Sequence, residues 1–228
     1  MTLKVTEIFS SVQGEGPNIG LPAIFLRLSG CNLSCSFCDT KYALTEGKEL
    51  TVEEVSLQIQ KLQRGMSYSG GKRLIITGGE PLCQQEELTK FLSIVKQPMT
   101  GFIEFVEIET NGTIVPTKEM IKYVDSWIVS PKSFPLQIET QQFLHKPVIN
   151  KTHLKFVINS TIDIHNLLEA YTQFNHLIPP EQIFLMPCAT SITEQFIRLP
   201  MIIKTAKTYG FRVTPRLHII AYGNVRGV

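Results

Sequence analysis

The sequence predicts an α/β fold in which about six mainly parallel strands form a partial, TIM-like barrel that is open on one side. Two observations carry this prediction. Short apolar runs alternate with amphipathic stretches along the chain, and several runs are almost wholly apolar, as in parallel strands buried on both faces. About six strands are too few to close an eight-stranded barrel. We expect one domain over residues 1–228.

The predicted strands are short runs rich in β-branched and aromatic residues. They are Ala23–Ser29, Leu74–Thr77, Glu104–Glu109, Trp127–Ser130, Leu154–Ile158 and Ile183–Met186. The predicted helices are the amphipathic stretches Val52–Arg64, Glu86–Gln97, Thr117–Tyr123, Ile164–Phe174 and Ile192–Tyr209. The first helix has a capping-box start, because Thr51 stands three residues before Glu54.

The composition argues against several classes of protein. The formal net charge is +2, which offers no strong electrostatic basis for binding nucleic acid or a membrane surface. No apolar run approaches the ~18 residues that a membrane span needs, and we expect no secretory leader. Of the five cysteines, three stand in one loop, which is a poor disulfide framework and a good cofactor site. We therefore expect a cytoplasmic protein.

Three cysteines, Cys31, Cys35 and Cys38, follow the first predicted strand at C-x3-C-x2-C spacing. Thiolates are the usual ligands of iron–sulfur clusters, and three of them can hold three corners of a 4Fe–4S cube. The fourth iron would then be open to another ligand. A Cys3His zinc site is an alternative, although the nearest histidine in sequence is His145. Chance clustering of core cysteines is a further alternative.

Polar residues follow each of the first four predicted strands. Cys31 follows the first strand, Gly78-Gly79-Glu80 the second, Thr110-Asn111-Gly112 the third and Pro131-Lys132 the fourth. In parallel α/β sheets the chemistry lies at the carboxyl ends of the strands. The sequence therefore predicts a functional site on this rim of the barrel.

The motifs together resemble a known superfamily. The cysteine loop and the turn Gly78-Gly79-Glu80-Pro81 resemble the radical S-adenosylmethionine (SAM) superfamily. Within it, the turn Gln13-Gly14-Glu15-Gly16, Arg27 and Cys38-Asp39-Thr40 are similar to the 7-carboxy-7-deazaguanine synthase family. The resemblance covers nearly the whole chain and implies the radical SAM type of open barrel.

The resemblance implies a 4Fe–4S cluster on the three cysteines, with SAM chelating the open iron and Mg²⁺ bound by the hydroxyl of Thr40. Turn geometry alone explains the two glycines, whereas the resemblance adds that Gly79 and Glu80 hold the SAM amine. Phe37 packs on the cofactor or anchors its loop. The remaining residues expected to contact SAM are Thr77, Gly78, Glu109, Ser130 and Lys132. Lys132 could equally be a solvated loop lysine.

The substrate implied by the resemblance is 6-carboxy-5,6,7,8-tetrahydropterin. Gln13 and Glu15, with Val12 and Gly14, offer donors and acceptors for the aminopyrimidinone edge of a pterin. Arg27 lies in an apolar strand and suits a substrate carboxylate, although an internal ion pair is the alternative. The resemblance implies that His218 and the C-terminal tail close over the substrate, whereas the alternative is a last strand within Pro215–Gly223 that contains a satisfied histidine.

By resemblance, electron transfer from the reduced cluster cleaves SAM to methionine and a 5′-deoxyadenosyl radical, which starts the ring contraction to 7-carboxy-7-deazaguanine and ammonia. A flavodoxin-like reductase and a homodimer are the expected partners. Two alternatives remain at this point: another radical SAM enzyme such as a glycyl-radical activase, and a non-enzymatic zinc or iron–sulfur module. The stretch Pro135–Asn150 is expected to be a mobile lid or plain surface.

Overall fold

The computed structural model describes residues 1–66, 71–99 and 101–228. In this part of the chain, nine strands form one sheet. They are β1 Thr2–Val12, β2 Pro22–Leu28, β3 Lys48–Thr51, β4 Arg73–Gly78, β5 Phe105–Thr110, β6 Ser126–Val129, β7 Thr152–Ile158, β8 Ile183–Pro187 and β9 Arg212–Val213.

The sheet is an open and mainly parallel barrel, as the sequence predicts. The strand order is β3-β1-β2-β4-β5-β6-β7-β8-β9, so β3 and β9 are its two edges. Every pairing from β2 to β9 is parallel, whereas β1 is antiparallel to both β2 and β3. The parallel strands therefore end on one rim, which is where the polar clusters lie.

The six predicted strands are confirmed, and the sheet contains three strands that were not predicted. β1, β3 and β9 are additional. Each lacks the buried apolar run that revealed the others: much of β1 is half-buried, β3 is an edge strand, and β9 is only Arg212–Val213. Strands that bury one face or lie at an edge carry a weaker sequence signal.

The described helices are α1 Val52–Gln63, α2 Gln85–Val95, α3 Lys118–Tyr123, α4 Ile138–Gln142, α5 Thr161–Phe174, α6 Ile192–Tyr209 and α7 Leu217–Tyr222. The five predicted helices are confirmed to within a few residues at their ends. The capping box at Thr51 is also confirmed, since Glu54 N donates to Thr51 Oγ1 at 3.2 Å and Thr51 N to Glu54 Oε2 at 2.8 Å. None of the described helices is both long and apolar enough to cross a bilayer.

Two expectations are wrong, one about a last strand near the C-terminus and one about a surface segment in the middle of the chain. Residues 217–222 form helix α7 rather than a last strand. The segment 135–150 is not plain surface, because it contains α4 and buries Phe143 and Leu144 in the core. The ring of Phe143 meets Trp127 of β6 edge-on at 5.5 Å between centroids.

The core lies mainly between the helices and one face of the sheet. Alternate residues of the parallel strands, such as Leu26, Ile76 and Ile108, pack with the buried faces of the helices. The residues between them, such as Arg27, Thr77 and Glu109, belong to the other face and line a cavity. The period of two along each strand thus separates a hydrophobic face from a polar, functional face.

Candidate active site

A cavity of about 280 Å³ lies at the carboxyl ends of the parallel strands. It brings together all of the sequence-predicted site residues except Glu80. The predicted residues that line it are Val12, Gln13, Gly14, Glu15, Arg27, Cys31, Cys35, Phe37, Cys38, Thr40, Thr77, Gly78, Gly79, Glu109, Ser130, Lys132 and His218. The structure thus confirms that these residues meet, while the role of each one stays a prediction.

The cysteine loop begins where β2 ends and is attached by backbone hydrogen bonds. Gly30 N donates to Ala43 O at 2.8 Å, and Glu80 N donates to Gly30 O at 2.9 Å. Cys31, Cys35 and Cys38 are free thiols that face the cavity. Across residues 1–66, 71–99 and 101–228, no three His, Cys, Asp or Glu side chains could hold a single metal ion. A 4Fe–4S cluster offers a separate iron to each thiolate, so its ligands need not converge on one point, and the donor set fits it.

The turn after β4 requires glycine at two positions. A Cβ on Gly78 would overlap the backbone of Leu28, and its φ of +150° is rare for other residues. A Cβ on Gly79 would overlap the carbonyl oxygen of Gly30 and lie 2.9 Å from the Cβ of Cys31. The two glycines therefore let the strand end approach the start of the cysteine loop closely.

Glu80 lies behind the cavity wall instead of lining it. Its carboxylate is fully buried and accepts hydrogen bonds from Leu82 N at 2.9 Å, Thr110 Oγ1 at 2.8 Å and Asn111 N at 2.7 Å. Burial raises the pKa of Glu80, and these hydrogen bonds oppose the rise. The observed contacts give Glu80 a role in joining the ends of β4 and β5, and its contact with the SAM amine stays a prediction.

Glu109 and Gln13 form the polar centre of the cavity. Glu109 accepts from Thr77 Oγ1 at 3.0 Å and from Gln13 Nε2 at 3.1 Å. Gln13 Nε2 also donates to Glu107 at 2.7 Å, a fully buried carboxyl that the sequence analysis missed. Burial and the neighbouring Glu109 raise the pKa of Glu107. The amide of Gln13 is thereby held between two carboxyl groups.

The loop that carries Gln13 and Glu15 connects β1 to β2 and reaches into the open barrel. Glu15 is buried and forms ion pairs with Lys155 through Oε2 and with Arg216 through Oε1, the latter at 2.9 Å. Burial alone would raise the pKa of Glu15, but the two cations lower it far below its ordinary value. Glu15 is therefore a carboxylate at neutral pH.

Lys155 and Arg216 also line the cavity and were missed by the sequence analysis. Lys155 stands within the apolar run of β7, so the argument applied to Arg27 would have found it. No local pattern marks Arg216.

Lys132 lies near Lys155 and contacts Ser130, since its Nζ donates to Ser130 Oγ at 2.9 Å. The pKa of Lys132 is lowered, mainly by burial and secondly by the positive charge of Lys155.

Arg27 forms the internal ion pair that was the alternative to a substrate contact. Its Nε donates to Glu7 Oε1 at 2.6 Å, and Tyr42 Oη donates to the same oxygen at 3.0 Å. The guanidinium also lies 5.9 Å from the ring centroids of Phe9 and Tyr42. Because Arg27 lines the cavity as well, the ion pair fixes its position without closing it off.

Thr40 and Asp39 follow the last cysteine of the loop. Thr40 Oγ1 donates to Asp39 Oδ1 at 2.7 Å, and Asp39 Oδ2 accepts from Arg216 Nη2. Burial raises the pKa of Asp39, but Arg216 outweighs it and holds that pKa below the ordinary value. A hydroxyl beside a carboxylate is an oxygen donor set that suits Mg²⁺ with its retained waters.

The C-terminal segment covers one side of the cavity. Leu217 N donates to Gly14 O at 2.9 Å, and a Cβ on Gly14 would overlap the ring of His218. Residues 224–228 line the same cavity. Arg226 holds this tail in place, since its guanidinium lies 3.6 Å from the ring centroid of Tyr42 and donates to Glu46 at 3.0 Å.

Comparison with known proteins agrees with this geometry. Residues 26–182 match the Radical SAM superfamily, which is more than half of the chain. The chain therefore belongs to this superfamily, whose members use a 4Fe–4S cluster and SAM. The barrel is also similar to the crystal structure of QueE from Escherichia coli, with a TM-score of 0.68 at 23% identity over 96% of this chain and 95% of that one.

Curated relatives narrow the assignment further. The 7-carboxy-7-deazaguanine synthase of Pyrobaculum aerophilum is 37% identical over 99% of this chain and 97% of its own length. The enzyme of the same name from Thermoplasma acidophilum is 31% identical over 98% and 99% of the two chains. The chain is thus a member of the 7-carboxy-7-deazaguanine synthase family, as its motifs predict, rather than a glycyl-radical activase or a non-enzymatic module.

Proposed function

We propose that this enzyme converts 6-carboxy-5,6,7,8-tetrahydropterin to 7-carboxy-7-deazaguanine, with loss of ammonia. The observation that carries the proposal is a single cavity whose walls include both the three cysteines and the polar residues Gln13, Glu15 and Arg27. A site with this composition can hold the cluster beside a small, polar, carboxylated heterocycle.

Cys31, Cys35 and Cys38 would hold the cluster, and the lack of a side chain at Gly79 lets the end of β4 pack against the start of the cysteine loop. The bound cluster and SAM supply a radical that removes a hydrogen atom from the substrate. The residues of this chain bind and orient the reactants and exclude water from them. Glu15 and Lys155 line the cavity and are nevertheless buried, so little water reaches that part of the site.

Arg27 is the proposed anchor of the substrate carboxylate. Within the described part of the chain its hydrogen bond is made through Nε to Glu7. Its two terminal amino groups are therefore available for a bidentate contact, the geometry that guanidinium groups favour with carboxylates. Glu15 remains able to accept N–H donors of an aminopyrimidinone, since each carboxylate oxygen carries two lone pairs.

Three further proposals follow the family resemblance. Thr40 would hold a Mg²⁺ ion that would bind the substrate carboxylate, a flavodoxin-like reductase would supply the electron, and the protein would act as a homodimer in the cytoplasm. The free thiols of the five described cysteines suit a reducing compartment. Omission of Mg²⁺ from the assay tests the proposed Mg²⁺ site, and light scattering of the purified protein tests the proposed homodimer.

The decisive experiment is anaerobic reconstitution with iron and sulfide, followed by addition of dithionite, SAM and 6-carboxytetrahydropterin, with and without Mg²⁺. We expect 5′-deoxyadenosine together with the deazapurine chromophore, at a rate that depends on Mg²⁺. Deoxyadenosine without deazapurine would reject the substrate and keep the radical chemistry. Neither product from a sample with a full cluster would reject the proposed reaction.

A further inference from the structure

Arg216 is a buried arginine whose side chain bridges several separate parts of the cavity wall. Its Nε donates to Glu15 Oε1 at 2.9 Å, and its Nη2 donates to Asp39 Oδ2. Its Nη1 donates to the carbonyl oxygen of Ala189, just after β8, and Nη2 lies 3.3 Å from His218 Nε2. All three guanidinium nitrogens are therefore engaged, each by a different segment of the chain.

The backbone of Arg216 is also fixed by hydrogen bonds to a side chain of α6. Gln195, a fully buried residue of α6, donates through Nε2 to Arg216 O at 3.2 Å and accepts from Arg216 N at 2.9 Å. A side-chain amide that pairs with both the N–H and the C=O of one residue fixes the position of its Cα. The backbone of Arg216 is thus fixed independently of the ion pairs that its side chain makes.

The two carboxylates that Arg216 joins belong to different halves of the proposed site. Asp39 is adjacent to Cys38, the last cysteine of the cluster loop, and it accepts from the Thr40 hydroxyl. Glu15 belongs to the loop whose Gln13 and Glu15 face the proposed pterin position. The two loops adjoin opposite ends of β2, since the loop with Glu15 connects β1 to β2 and the cysteine loop begins after β2.

We propose that Arg216 is a positioning residue that fixes the distance between the cluster loop and the substrate loop. Building on the proposed function, this inference makes Arg216 responsible for coupling SAM cleavage to conversion of the substrate. Hydrogen abstraction requires the reacting atoms to be about 3–3.5 Å apart, so a small displacement of one loop against the other lowers the yield of the second step.

The substitutions Arg216→Lys and Arg216→Gln test this proposal. Lysine keeps a positive charge, but its single ammonium group lacks the planar fork that reaches three separate acceptors. We expect both variants to cleave SAM to 5′-deoxyadenosine while the amount of deazapurine formed per deoxyadenosine falls about tenfold or more. A residue that served only the fold would lower both rates together and leave their ratio unchanged.

Arg212→Lys is the matched control. Arg212 precedes Arg216 by four residues in the same segment, is exposed, and lies 4.5 Å from the ring centroid of Phe184. We expect its product ratio to equal that of the wild type. Asp39→Asn replaces the ion pair of the same bridge with a weaker neutral contact, so it should lower the ratio as well, and combining it with Arg216→Gln should add little.

Three outcomes decide the matter. A fall in the ratio for Arg216→Lys and Asp39→Asn, with a full cluster and an unchanged Arg212→Lys control, supports the proposal. An unchanged ratio in either bridge variant overturns it. If wild-type protein forms deoxyadenosine but no deazapurine from the pterin, the proposed function fails first, and the two failures are distinguishable. Should Arg216→Gln not fold, Arg216→Lys and Asp39→Asn still give the answer.

Discussion

At the scale of single residues, the polar side chains of this site are held by one another before any ligand binds. Glu80 receives three hydrogen bonds from the ends of two neighbouring strands, and Gln13 is fixed between Glu107 and Glu109. Buried donors and acceptors left unpaired are costly, so such networks specify one arrangement. Removing one member should therefore affect stability as well as activity.

Glu80→Ala should lower the free energy of unfolding of the apoprotein by at least about 3 kcal/mol. The substitution leaves three buried donors without an acceptor, and each costs about 1–3 kcal/mol. Urea denaturation measures the loss, and Glu53→Ala, at an exposed position of α1, is the control that should stay within about 0.5 kcal/mol of the wild type. Normal stability combined with lost SAM binding would instead make Glu80 chiefly a SAM contact.

The ion pairs of Glu15 should make the stability depend on pH in a defined direction. Although burial opposes it, Lys155 and Arg216 bring the pKa of Glu15 below its ordinary value of 4.5. A carboxyl whose pKa is lower in the folded state stabilises the fold above the unfolded pKa, and this contribution is lost as the pH falls.

We therefore expect the difference in unfolding free energy between the wild type and Arg216→Gln to be greatest near pH 8, to shrink as His218 beside Arg216 takes up a proton, and to shrink further below about pH 4.5 as Glu15 and Asp39 are protonated. Chemical denaturation at a series of pH values measures this difference. The corresponding difference for Arg64→Gln, at an exposed position just after α1, should not change over the same range. A difference for Arg216→Gln that grows toward low pH would contradict the assignment.

At the scale of elements, the turn after β4 and the start of the cysteine loop act as one unit. Gly79 N donates to Leu28 O at 3.2 Å, and Glu80 N donates to Gly30 O at 2.9 Å. These two hydrogen bonds, with the close approach of Gly79 to Cys31, set where the first cluster ligand lies relative to the cavity.

Gly79→Ala should raise the KM for SAM by about tenfold to a hundredfold, because the new methyl group displaces the Gly30–Cys31 backbone. The rate of deoxyadenosine formation at a series of SAM concentrations measures the effect. Gly65→Ala is the matched control, since its Cβ would meet its nearest neighbour, Leu62 O, at an ordinary 3.7 Å. Equal KM values for the two variants would show that the close approach is unimportant.

Strands and helices were predicted correctly from the sequence where their side chains are fully buried, and less well where the burial is partial. The six strands with apolar runs were found, and β1, which is half-buried along most of its length, was not. Helix α7 was missed because its residues Leu217–Tyr222 read equally well as a strand, and contacts with distant segments decide between the two. The side chain of Gln195 in α6 accepts from Arg216 N, and the carbonyl oxygen of Gly14 accepts from Leu217 N, so both hold the start of this helix.

At the scale of the whole molecule, the hydrophobic core and the candidate active site lie on opposite faces of the sheet. The main hydrophobic cluster includes alternate residues of the parallel strands, such as Leu26, Ile76 and Phe156, together with the helices. The cysteines of the cluster loop are half-buried and face the cavity on the opposite side. The fold should therefore persist without its metal cofactor.

Anaerobic removal of the cluster with an iron chelator should leave the far-UV circular dichroism spectrum and a cooperative thermal transition in place, while SAM binding is lost. Isothermal titration with SAM measures the binding. Cys83→Ala and Cys188→Ala serve as controls and should retain the full iron content, because these residues lie outside the C-x3-C-x2-C spacing. Loss of the folded state on chelation would show that the cluster supports the core.

The sequence by itself determined the properties that depend on neighbouring residues: the parallel α/β class, the spacing of the three cysteines, and the strand ends on which polar residues stand. Only the tertiary structure decided which charges meet. Glu15 is paired with Lys155 and Arg216, which lie 140 and 201 residues further along the chain. The hydrophobic periodicity of the sequence shows which face of each strand is buried. The pairing of Glu15 with Lys155 and Arg216 depends instead on how strongly the open sheet curves. This curvature results from packing across the whole molecule, which no local pattern records.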